Sequence, residues 1–227
     1  MGLNIVELPY LIFRLAPIII VSFFILQSFI LWDIKGILYI SGLLLSCLLA
    51  LFVNSGLTIV MPIEDVVDDN EKNPKCRTIT LGENGQYYSD IPLNLVIYSF
   101  TFFYLLIFII NLANPDSSVG ILDTKKFTKE SLNSALQQNV PVLILFPILI
   151  LAEVFWIYSN NCISSEIKQF VIYTLTGIMV GALGGIIWAV LITSIGVPQL
   201  QYITSGNADI CSRPSRTTFR CRPKLST

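Results

Sequence analysis

The stretch Phe170–Gly196, FVIYTLTGIMVGALGGIIWAVLITSIG, decides how the rest of the chain is read. It runs for 27 residues without a charged side chain. A helix rises about 1.5 Å per residue, so roughly 20 such residues cross the hydrocarbon core of a bilayer. The apolar residues follow one another without alternation, which fits a membrane helix and not a barrel strand. Gly177, Gly181 and Gly185 recur every fourth position, with Gly184 beside them. Small residues at this spacing cut a groove down one helix face, where another helix gains van der Waals contact that lipid cannot match. The expected occupant of that groove is another helix of the same chain.

Working outward from this stretch, four more segments carry the same signal. They are 10–32, 37–61, 91–112 and 140–158. The sequence therefore predicts an all-α, multi-pass transmembrane bundle of about five spans over residues 1–203. A surface loop occupies 62–90, and 204–227 form a basic tail. The first two spans are separated only by the turn around Asp33–Gly36 and read as an antiparallel hairpin. Composition agrees: 54% of the 227 residues are hydrophobic and 13% are charged, about half the charged share of a soluble domain.

The extramembrane segments are short on chemistry. The 62–90 loop opens with Glu64, Asp65, Asp68, Asp69 and Glu71. It lacks the alternating ligands and central glycine of an EF-hand, so a solvated acidic turn is the simpler reading. Residues 77–88 have the composition of a small hairpin. Thr128–Leu136 reads as a short amphipathic helix at the headgroup level. Arg213, Arg216, Arg220, Arg222 and Lys224 make the tail basic, against one acid, Asp209. Positive-inside anchoring, lipid headgroup contact, and docking to an acidic protein or nucleic acid are its three readings.

Orientation follows from the basic residues. With five spans, one side holds Arg14, Lys72, Lys75, Arg77 and Lys168, and the other holds Lys35, Lys125, Lys126, Lys129 and the five of the tail. Nine against five favours a cytosolic C-terminus. Cys76 and Cys162 then share the outer side, where a disulfide between them is expected. Cys47 lies inside the second span, and Cys211 and Cys221 lie in the tail.

Polar residues inside the spans are the candidate functional groups, because lipid gives them no partner. Asn94, Tyr98 and Thr101 lie at i, i+4 and i+7 of the third span. Glu153 is the one acid well inside a span, and an intramembrane carboxyl is a candidate proton or cation site by default. Two readings stand for this set: interhelical hydrogen bonds within a packed bundle, or the lining of an ion path.

Enzymatic readings fare poorly. The chain has no histidine, which removes the commonest general base and the commonest metal ligand. Lys72, Arg77 and Ser89-Asp-Ile-Pro92 faintly resemble the layout of membrane lipid phosphate phosphatases. That family's histidines and its Arg-Pro step are missing, so no catalytic residue carries over. No catalytic residue, cofactor site or metal site is predicted, and the net charge of −1 gives no bias toward nucleic acid.

The runs Cys76-Arg-Thr, Ser89-Asp-Ile-Pro-Leu-Asn94, Ser99-Phe-Thr-Phe-Phe-Tyr104 and Cys211-Ser-Arg-Pro-Ser…Phe219-Arg-Cys221 resemble uncharacterised multi-pass membrane proteins of large DNA viruses. The resemblance implies a location in a virion inner membrane or a membrane derived from the host endoplasmic reticulum. The expected role is structural or scaffolding, with lipid, further copies, or other membrane or capsid proteins as partners. The alternative is a small ion or proton channel or transporter subunit built on Asn94, Tyr98, Thr101 and Glu153.

Overall fold

The computed structural model describes residues 7–60, 90–112, 129–160, 162–163 and 167–195, and every element among them is helical. The order is α1 (Glu7–Leu31), α2 (Lys35–Val60), α3 (Leu93–Leu112), α4 (Lys129–Gln138), α5 (Val140–Ser159) and α6 (Ile167–Ser194). Four of these, α2, α3, α5 and α6, are long and apolar enough to cross a membrane. α1 adds a shorter apolar stretch, Leu15–Ile30. The expected hairpin at 77–88, the acidic turn and the basic tail lie outside the described residues.

Local chemistry sets where the helices stop and start. At the α1–α2 turn, the Asp33 N–H donates to Ser28 O at 3.0 Å. This i to i−5 bond closes the helix as in a Schellman motif, and Trp32 takes the left-handed position at φ 55° that glycine usually fills. Ser28 then ties the turn together, because its hydroxyl donates to Asp33 O and accepts from the Gly36 N–H. Trp32 is exposed, at a level where aromatic side chains suit the membrane–water interface. At the other end of the bundle, Cys162 N donates to Ile157 O at 3.1 Å and ends α5. α5 begins with Pro141 in its first turn, where a missing N–H costs nothing.

α3 is the central helix and touches all five others. It is the most buried of the four spans, with 67% of its span buried, from Leu95 through Phe100 and Tyr104 to Ile109. A helix apolar on most of its faces and buried to that degree belongs in the middle. α6 packs along α3, α2 leans on both, and α1 packs mainly on α2. α5 lies against α3 on another side, with α4 at its foot.

Neighbouring residues fix the directions. Gly177 of α6 faces Ile91 and Pro92, Gly181 faces Val96 and Phe100, and Gly185 faces Phe100 and Tyr104. Both numberings rise together, so α3 and α6 run parallel. α2 runs the other way: Gly184 meets Ser46, while Gly42 meets Trp188.

The outer surface completes the picture. Leu175, Met179, Leu183, Ile187 and Leu191 are exposed at four-residue spacing, on the side of α6 away from its glycines. Ile18, Phe23 and Phe29 of α1, Leu44, Leu48 and Phe52 of α2, and Ile144, Ile148, Leu151 and Phe155 of α5 are exposed as well. In water such apolar patches would drive aggregation. In a bilayer they are the lipid contact, and the described chain is a multi-pass helical membrane bundle.

Candidate functional site in the bundle interior

The interior holds several polar side chains, and some of them pair across helices. Asn94, the second residue of α3, donates through Nδ2 to Glu153 Oε1 of α5 at 2.9 Å. Asn94 is 2% exposed and Glu153 5%. Tyr98 lies one helical turn beyond Asn94 and is fully buried. Its hydroxyl makes no hydrogen bond among the described residues. α3 therefore presents an amide to the carboxyl of α5, with a buried phenol one turn further along the same helix.

Thr101 stands apart from this cluster, although the i, i+4, i+7 spacing groups it there. Its Oγ1 donates to Ile97 O at 2.7 Å and lies 2.7 Å from the Tyr39 hydroxyl of α2. Thr101 has one proton, already given to Ile97, so Tyr39 is the donor across the helix pair. Tyr39 also stacks on Phe24 with ring centroids 4.3 Å apart and meets Tyr104 at 5.6 Å. This aromatic knot joins α1, α2 and α3 in the half of the bundle away from Glu153.

The glycine face is filled from within. A Cβ at Gly181 would stand 2.5 Å from Val96 O, and one at Gly185 would stand 2.5 Å from Phe100 O. The two backbones approach so closely that only hydrogen fits, and their Cα–H groups face carbonyl oxygens of α3. Gly184 points elsewhere, into Ser46 of α2. The four glycines thus serve two neighbours rather than one.

Several partners were not singled out by sequence. Gly42, Ser46, Ala50 and Asn54 form a second four-residue ladder, all buried, on α2. That spacing is the signal that could have found it. Asn54 Oδ1 accepts from the backbone N–H of Ile91 at 3.3 Å, satisfying a donor just ahead of α3. Trp188 donates its indole N–H to Leu38 O at 2.8 Å.

Cys162 is disulfide-bonded and Cys47 is free. Cys76, the expected partner of Cys162, lies outside the described residues, as do Arg213, Arg216, Arg220, Arg222 and Lys224. No three His, Cys, Asp or Glu side chains converge as metal ligands among the described residues.

Compared with protein-family models, curated proteins and solved structures, the chain matches none. The class it belongs to therefore rests on its own helices: an integral membrane protein of the multi-pass helical kind.

Proposed function

We propose that the protein is a structural, scaffolding component of its membrane, with a closed interior. One observation carries this reading: the glycine groove and, of the four polar residues that could line a path, all but Tyr98 have partners inside the chain. The glycine groove is filled by α3. Thr101 is taken by Tyr39, and Glu153 by Asn94. Contacts with other proteins or further copies then fall to the lipid-facing surfaces and the basic tail. The disulfide at Cys162 supports an oxidising environment at that end of the bundle. Together with the excess of basic residues on the other side, it favours a cytosolic C-terminus. The resemblance to viral multi-pass proteins supports a virion or virus-modified membrane.

The second reading is a small ion or proton channel or transporter subunit, and what favours it is the buried carboxyl of Glu153. Reconstitution in liposomes separates the two. The structural role predicts proton and cation flux no greater than in protein-free liposomes. Flux that disappears in Glu153→Gln would replace it with the transport reading.

A further inference from the structure

Glu153 has a charge problem that its surroundings only half solve. Its carboxyl is 5% exposed, and its hydrogen-bond partner among the described residues is a neutral amide, Asn94 Nδ2. An uncompensated charge in such a place is costly, and buried acids are paired or neutralised. The ion pair found among the described residues, Lys35–Asp33 at 3.6 Å, is at the opposite end of the bundle. Lys168 lies at the Glu153 end but is exposed. α3 and α4 pack on α5, and α6 meets it where Phe170 lies against Tyr158 and where Ile157 shares a cluster with Tyr173, the titratable group α6 brings to this end. From α3 the titratable groups are Tyr98 and Tyr104, and Tyr104 sits in the aromatic knot. The described side chains of α4 carry no charge.

The second observation is Tyr98. Its hydroxyl is fully buried and unpartnered among the described residues, and it lies one helical turn along α3 from Asn94, the residue bonded to Glu153. A buried hydroxyl without a hydrogen bond costs stability unless it serves a ligand. Access is short. Glu153 lies six residues before the end of α5, roughly 9 Å along the axis, and Asn94 is the second residue of α3.

We propose that Glu153, with Tyr98 one turn of α3 beyond its Asn94 partner, is an exchangeable site for a single monovalent cation, either a proton or sodium, reached from the Cys162 end of the bundle. The site neutralises a carboxyl in a closed bundle and requires no conduction, so it stands whether or not the structural role does.

A hydrophobic carbodiimide tests this on the full-length protein in liposomes. The reagent takes up the carboxyl to give a stable N-acylurea, read as a mass gain on the peptide containing Glu153. Labelling is expected in the wild type and absent in Glu153→Gln. If the ion is a proton, labelling falls as pH is raised from about 5 to 9. If it is sodium, labelling at fixed pH falls when sodium chloride replaces choline chloride. Tyr98→Phe keeps the ring and removes the hydroxyl, and it should change the effective concentration of the active ion roughly tenfold. Folded protein that is not labelled, or is labelled without response to either ion, overturns the proposal. An unchanged response in Tyr98→Phe removes Tyr98 from the site.

Discussion

Gly181→Ala places one methyl group where α6 meets the α3 backbone. The new Cβ would stand 2.5 Å from Val96 O and 3.1 Å from Phe100 N, and it would also strike the Ser99 hydroxyl. Ordinary contact begins near 3.4 Å, so the helices must separate by 3.4 − 2.5 = 0.9 Å at this point. A gap of that size forfeits about a quarter to a half of each dispersion contact it opens. Overpacking of this kind costs about 1–3 kcal/mol. Alanine also improves helix propensity by about 0.8–1 kcal/mol, which would mask part of the loss. Gly56→Ala supplies the correction. Gly56 lies in α2 with nothing within 4 Å of its would-be Cβ, so it gains the propensity and meets no clash. The difference between the two variants isolates the packing effect. Unfolding in mixed micelles of increasing dodecyl sulfate content, followed by helical circular dichroism, gives both stabilities on one scale. Gly181→Ala should be less stable than Gly56→Ala by about 1–3 kcal/mol. A difference under about 0.5 kcal/mol would mean that the two helices do not meet at Gly181, and the parallel α3–α6 contact would fall with it.

Two further predictions concern polar closure of the interior. In a double-mutant cycle of Tyr39→Phe and Thr101→Val, the Tyr39–Thr101 bond should show a coupling of about 0.6 kcal/mol, and no more than about 1.7; zero coupling would place the two hydroxyls apart. Asn54→Leu leaves the Ile91 N–H without its acceptor and should cost about 1–3 kcal/mol in the same unfolding assay. Asn54→Asp, which keeps the oxygen in place, should lose less, and equal losses would argue that Asn54 acts through packing alone.

The spans were legible because lipid imposes a single rule over some twenty residues at a time. Their ends shifted by up to three residues, since termini are set by particular groups: Pro92 and Leu93 open α3, and the Schellman turn at Trp32 closes α1. The glycine ladder announced close approach by another helix, yet nothing along α6 names α3 as the partner. That pairing depends on α3 being the most buried of the spans, a property of the assembly. Asn94 and Glu153 each read as polar groups in need of a partner, and they found each other. Thr101 sits at the right spacing for the same cluster but leaves it, because α2 carries Tyr39 to that level of α3. Tyr39 is an unremarked tyrosine in an apolar run until the helices are packed.

The closed interior depends on α3 running parallel to α6 through the centre of the bundle. Cysteine pairs test this directly, with Cys47→Ser as background and peptide mapping to separate the new bridge from the one at Cys162. A Cβ at Gly177 lies 3.2 Å from Ile91 Cγ2, within the reach of a disulfide. Ile192 is 15 residues further along α6, about 22 Å away along the axis. Mild oxidation should therefore link Ile91→Cys to Gly177→Cys and leave Ile91→Cys with Ile192→Cys unlinked. A bridge from 91 to 192, with none from 91 to 177, would reverse α6 and contradict the packing on which the closed interior rests.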